Sequence, residues 1–188
     1  SMMWRAGELF HLNSCYAPTV DDDLIPQHPL VAFEEGKQIQ VPLLVGTNSD
    51  EASFGKFLYQ RQSARQRAAL RLLASFDEVN APAVVKAYGG AIARKGFAHL
   101  LADALFWAPT VRVADAHSRT NNTWMYRFDF APTALRWLGL GAMHSMELSN
   151  IFGDPGASRV SALTRMGDSS LMDEMTKLMQ SQWSSFIR

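Results

Sequence analysis

In the stretch GAMHSMELSNIFG, residues 141–153, His144 stands between glycines and an apolar run, with Glu147 three positions later. Imidazole titrates near neutrality, so His144 can be a general base, a metal ligand or a hydrogen-bonding member of a turn. The H-x-x-E spacing puts two ligands on one helical face, which is half of a zinc site. A catalytic zinc needs a third protein ligand, and His11, His28, His99 and His117 sit in no matching motif. A second chemical group lies upstream in GTNSDE, residues 46–51, where Asp50 and Glu51 follow an apolar run. Asn48 through Glu51 also reads as a capping box that opens the next helix, a purely structural use of the same glutamate. A carboxylate first and a histidine later is the acid-then-base order of one kind of nucleophilic triad. The carboxylate holds the imidazole's tautomer, and the imidazole takes a serine proton and returns it to the leaving alcohol.

Both groups need strand ends to place them. VPLLVGTN, residues 41–48, predicts a strand over 41–46 of the kind buried on both faces in a parallel sheet. The segment after it turns helical, with Phe54, Phe57 and Leu58 at a 3–4 spacing. Further helices are predicted over 63–74 and over 80–88, the latter with Pro82 in its first turn and Gly89-Gly90 after it. A long helical pattern from Phe97 to Arg119 is interrupted near Pro109. Residues 123–130, TWMYRFDF, read as a second strand, and a loop through Pro132 leads to His144. Residues 170–187 form an amphipathic helix with the stripe Leu171, Met175, Leu178, Met179, Trp183 and Phe186. Ser170 and Asp173 are its expected capping pair. Gly139 and Gly141 permit the backbone angles that let a loop aim His144 inward. The order is α/β, and two buried-type strands are few for such a fold.

The bulk composition narrows the partners. The 188 residues hold 47% hydrophobic and 19% charged side chains, an ordinary globular balance for about one domain. Eighteen basic and eighteen acidic residues cancel, so no overall field favours nucleic acid or an anionic membrane surface. No apolar run approaches the ~20 residues of a spanning helix. The opening residues lack the build of a secretory signal, and Ser1 before Met2 reads as a cloning remnant. The single cysteine, Cys15, favours a reducing, cytoplasmic setting, or a secreted one if a signal lies upstream. The opening APTVDDDLIPQHPL reads as extended segments around a tight turn. Asp21, Asp22 and Asp23 are solvated turn carboxylates, because a calcium loop's alternating ligands and central glycine are missing.

Six blocks together carry a family likeness. APTVDDDLIPQHP, VPLLVGTNSDEASF, LADALFWAPTVRVADAHS, WMYRFDF, GAMHSMELSNIFG and MQSQWSSFIR follow one another as in the type-B carboxylesterase/cholinesterase family. The chain resembles the C-terminal portion of that α/β-hydrolase fold and is closest in style to its bacterial carboxylesterases. The resemblance implies Glu51 as triad acid, His144 as general base, and Glu147 as a buried structural partner. It implies hydrolysis of small carboxylic esters through an acyl-serine, with no cofactor or metal. Phe54, Phe57, Met143 and Leu148 flank the two positions and either line an acyl pocket or pack the core. The family's usual glycine after the acid is here Ala52.

The larger departure is an absence. No G-x-S-x-G elbow and no HGG-type oxyanion motif occurs in the 188 residues. Ser158 and Ser169 follow the histidine and lack the elbow's pair of glycines. Residues 1–188 are therefore expected to be the C-terminal fragment of one catalytic domain, inactive alone. The serine is expected upstream, and the family continues past WSSFIR. Unpaired strand edges are expected to bind the missing N-terminal part or a second copy. Two other readings stay open. One is a non-catalytic adhesion relative, against which the retention of both Glu51 and His144 argues. The other is a zinc hydrolase using His144 and Glu147.

Overall fold

Pro29 opens the first helix among the described residues, α1 (Pro29–Glu34), where its fixed φ suits the first turn and its missing N–H costs nothing. The His28 ring accepts from the Leu30 amide at 3.3 Å. The opening expected as extended segments around a tight turn is corrected only at its end, where Pro29 and Leu30 enter this helix. Asp21 does hold a turn, accepting from the Asp23 and Ile25 amides at 3.1 and 2.9 Å. Those donors keep its carboxyl below its ordinary range.

The structure is a computed structural model that describes residues 19–91, 93–154 and 168–188. The chain divides into two units, one of residues 1–43 with 55–124 and the other of residues 44–54 with 125–188. Cys15, His11 and Ser158 lie outside the described residues.

In the first unit, α2 (Gly55–Leu58) is followed by α3 (Gln62–Asp77), α4 (Ala81–Ala87), α5 (Arg94–Ala102) and α6 (Ala108–Ser118). The helix expected directly after the first strand starts only at Gly55, because residues 49–54 are turns. The interruption near Pro109 is a π-helical stretch, Asp103–Trp107. Proline has no N–H for the carbonyl four residues back, and a widened turn accommodates that loss. Ala69, Leu72, Val85, Phe97, Leu100 and Leu101 form this unit's buried interior. His117 is buried with both ring nitrogens engaged: Nε2 donates to the Val41 carbonyl at 2.7 Å, so Nδ1 accepts from the Gln38 amide at 3.0 Å.

The sheet has β1 (Leu43–Asn48) and β2 (Thr123–Phe128). Leu43 donates to Asn122 and Ser49 to Phe128, each at 3.0 Å. The same six-residue step on both strands means a parallel register. β1 starts two residues later than expected, after Pro42, and is not buried on both faces. Leu43 through Gly46 are half-buried, and only Thr47 and Asn48 are buried. Among the described residues β1 has one neighbouring strand, which explains the difference. Gly46 sits under the Tyr126 ring so closely that a Cβ there would fall 2.4 Å from ring carbon.

In the second unit, α7 (Thr133–Trp137) replaces part of the expected loop, α8 (Leu148–Phe152) follows His144, and α9 (Ser169–Ile187) closes the chain. Phe128, Ala131, Leu135, Ala142 and Met146 form its core, with Met143, Met175 and Met179 packed against it. The α9 stripe therefore splits: Met175 and Met179 face the core, while Leu171 and Leu178 are exposed. The expected Ser170–Asp173 cap is also corrected. The N-cap position belongs to Asp168, whose carboxylate accepts from the Thr133 amide at 2.5 Å and so serves the first turn of α7.

Candidate active site

His144 lies in a β-turn closed by the Met146 amide donating to the Met143 carbonyl at 3.1 Å. The third turn position, Ser145, has φ 64°, a left-handed conformation that glycine usually supplies. Such strain outside glycine collects at functional sites. The turn sends Met146 into the core and leaves the His144 side chain about half exposed, at 54%.

On the facing loop Glu51 is buried, and its two oxygens do different work. Oε1 accepts from the Asn48 backbone amide at 2.8 Å. Oε2 accepts from His144 Nδ1 at 2.6 Å. The first bond ties Glu51 back to the end of β1, but the expected capping box is corrected: residues 49–54 are turns and no helix opens at Asn48. With Nδ1 donating to the carboxylate, the opposite nitrogen is the one set up to accept a proton.

Two neighbours fix the loops. Asp50 donates its amide to the Ala142 carbonyl at 3.0 Å, and its Oδ2 accepts from the Ala142 amide at 3.3 Å. Gly141, φ 60°, makes that approach possible, since a Cβ there would sit 2.2 Å from Asp50 Oδ2. Asn48 donates its side-chain amide to the Met143 carbonyl at 2.9 Å and to Glu147 Oε2 at 2.5 Å. In sequence Asn48 reads only as a cap, and nothing local marks Tyr126 or Ser145. A left-handed serine and long-range amide contacts leave no local sequence signal.

The electrostatics follow from this geometry. The hydrogen bond to Glu51 raises the His144 pKa above its ordinary 6.5 against the opposing effect of partial burial, with the Glu51 and Glu147 charges adding to the rise. Burial, with the charges of Glu147 and Glu51 nearby, pushes the Tyr126 phenol up to about 12. Because the folded pKa of His144 is raised, its ion pair stabilises the fold fully below about 6.5. That contribution is lost as pH rises through the higher folded value. NMR titration of His144 is expected to show a midpoint above 6.5, and Glu51→Gln is expected to lower it. An unchanged midpoint in that variant would contradict the assignment.

The other sequence-selected residues scatter. Phe54 is 40% exposed on the Glu51 loop, and Phe57, 57% exposed, belongs to the other unit. Met143 packs on the core, and Leu148 lines a groove of about 500 Å³ with Ile151, Phe152, Trp183 and Ile187. Glu147 is held by Asn48. Among the described residues no group of three or more His, Cys, Asp or Glu side chains could hold a metal. No described helix is long and apolar enough to cross a membrane.

A parallel strand pair with an acid past the first strand and a histidine in the loop after the second is part of an α/β-hydrolase fold. The sequence model of the carboxylesterase family matches residues 7–188, and the chain belongs to that family. It is 29% identical to para-nitrobenzyl esterase of Bacillus subtilis (strain 168) over 92% of its own length and 34% of that protein's. It is 27% identical to carboxylesterase 1D of Rattus norvegicus, again over 92% of this chain and 33% of the relative. A solved structure of PNB esterase superimposes with TM-score 0.73 and 26% identity, covering 96% of this chain and 37% of that one. The chain thus spans about a third of the length of the relatives it matches.

Proposed function

We propose that this chain carries the acid and base of a serine carboxylesterase, with the nucleophile on a stretch outside residues 1–188. The observation that carries the reading is the 2.6 Å contact between Glu51 Oε2 and His144 Nδ1 in a member of the carboxylesterase family. In that reaction His144 Nε2 takes the serine proton as the hydroxyl oxygen attacks the acyl carbon. The proton then passes to the departing alcohol oxygen, leaving an acyl-serine. Water repeats the sequence and releases the acid. Glu51 holds the imidazole's tautomer and balances the imidazolium charge. The substrate class is a small carboxylic ester, the enzyme needs no cofactor, and the single cysteine fits a cytoplasmic setting. Alone, residues 1–188 are inactive. Among the described residues β1 and β2 each have one edge without a neighbouring strand, and that is where the rest of the sheet or a second copy adds. A monodisperse folded monomer in small-angle scattering would count against that pairing. The activity is tested by labelling the protein with an organophosphonate and mapping the modified peptide. The label is expected on a serine outside residues 1–188, and a labelled serine inside them overturns the proposal.

A further inference from the structure

We propose that Asn48 is a positioning residue that joins the acid and the base into one rigid pair, holding Glu51 with its backbone and the His144 turn with its side chain. The inference rests on the esterase reading for its catalytic consequence, but its geometry stands alone. The Asn48 amide N–H donates to Glu51 Oε1 at 2.8 Å, leaving Oε2 for His144. One side-chain N–H goes to the Met143 carbonyl at 2.9 Å, the same oxygen that closes the turn carrying His144. The other goes to Glu147 Oε2 at 2.5 Å, on the far side of that turn. His144 is therefore bracketed, one residue before and three residues after, by partners of a single amide. Both partners are acceptors, which fixes the amide's orientation without ambiguity. Asn48 is only 4% exposed, so water does not readily replace these bonds. Its Oδ1 is buried with no partner among the described residues, so the side chain is retained at an energetic cost for what its NH₂ group does.

Asparagine is the residue this place demands. Aspartate would set oxygens against the Met143 carbonyl and the Glu147 carboxylate, and leucine would fill the volume while leaving both acceptors unpaired. Asp50 ties the same two loops at Ala142, so the chain keeps one link when Asn48 is changed.

The test is NMR titration of His144 in Asn48→Ala and Asn48→Leu, with thermal unfolding measured alongside. Both variants keep the backbone bond to Glu51 and lose only the grip on the base's turn. The expected result is a His144 midpoint that falls toward 6.5 and a weakened Nδ1–H signal, with unfolding still cooperative. An unchanged midpoint in a folded variant overturns the proposal and leaves Asn48 merely structural. If alanine fails to fold, the isosteric leucine carries the test. In the esterase that contains this chain, Asn48→Leu is expected to lower kcat roughly tenfold to a hundredfold with KM nearly unchanged. A fully active parent with the titration shifted would sink only the catalytic consequence. An inactive wild-type parent with the titration shifted would sink the esterase reading and not the positioning.

Discussion

If the proposed serine-esterase function holds, replacing His144 with alanine in the full-length protein is expected to lower kcat roughly ten-thousand-fold or more, with KM changed little. Triad members act as a unit, and losing the base removes about that much. Glu51→Gln is expected to lose on the order of ten-thousand-fold as well, because a neutral amide cannot enforce the same imidazole tautomer or balance its charge. The double variant should be little worse than His144→Ala alone, since the acid acts only through the base. Steady-state hydrolysis of a chromogenic carboxylic ester, with and without the two substitutions, reads all three values. Losses that multiply in the double variant would mean that Glu51 and His144 work separately, and the 2.6 Å bond would then be incidental to catalysis.

The largest effect on folding is expected at Gly46→Ala. The added methyl would fall 2.4–2.5 Å from three carbons of the Tyr126 ring, well inside any normal contact. The ring cannot slide away freely, because it is edge-packed on Trp183 at 6.3 Å and belongs to the paired strand β2. Overpacking of this kind costs about 1–3 kcal/mol, and a glycine beneath a flat ring belongs at the upper end. Thermal and urea unfolding of Gly46→Ala should show that loss. Tyr126→Leu in the same chain should recover part of it, since a smaller side chain leaves room for the methyl. An unchanged midpoint in Gly46→Ala would show that the ring is not held where the structure places it.

How much of this could be read from the residues depends on the range of the interaction. The α/β order, the two strands, most of the helices and the two strand-end groups follow from local patterns, and the structure reproduces them with shifts of a few residues. Glu51 was ambiguous in sequence because a capping box and a triad acid want the same residue at the same place. In the structure Oε1 accepts from the Asn48 amide and Oε2 from His144 Nδ1, while no helix opens at Asn48. Asn48 reads only as a cap in sequence because its informative partners, Met143 and Glu147, are 95 and 99 residues away. The short helices α1 and α7 were missed for a different reason. Pro29 and Pro132 punctuate both turns and helix starts, and segments of six and five residues span fewer than two helical turns, too few repeats to separate the two. The burial of β1 was overread because an apolar run does not say how many neighbours it has.

The parallel register of β1 and β2 also bears on how quickly this unit can form. Antiparallel strands can close through a two-residue turn, but these two meet only after the whole of residues 49–122 has been looped out between them. The first strand bond, Leu43 to Asn122, joins groups 79 residues apart (122 − 43), and the length-dependent part of that closure entropy is about 4 kcal/mol. High contact order of this kind places a domain among the slower folders. The Glu51–His144 bond and the Asn48 bonds to Met143 and Glu147 span 93, 95 and 99 residues, so they are expected to form together with that pairing.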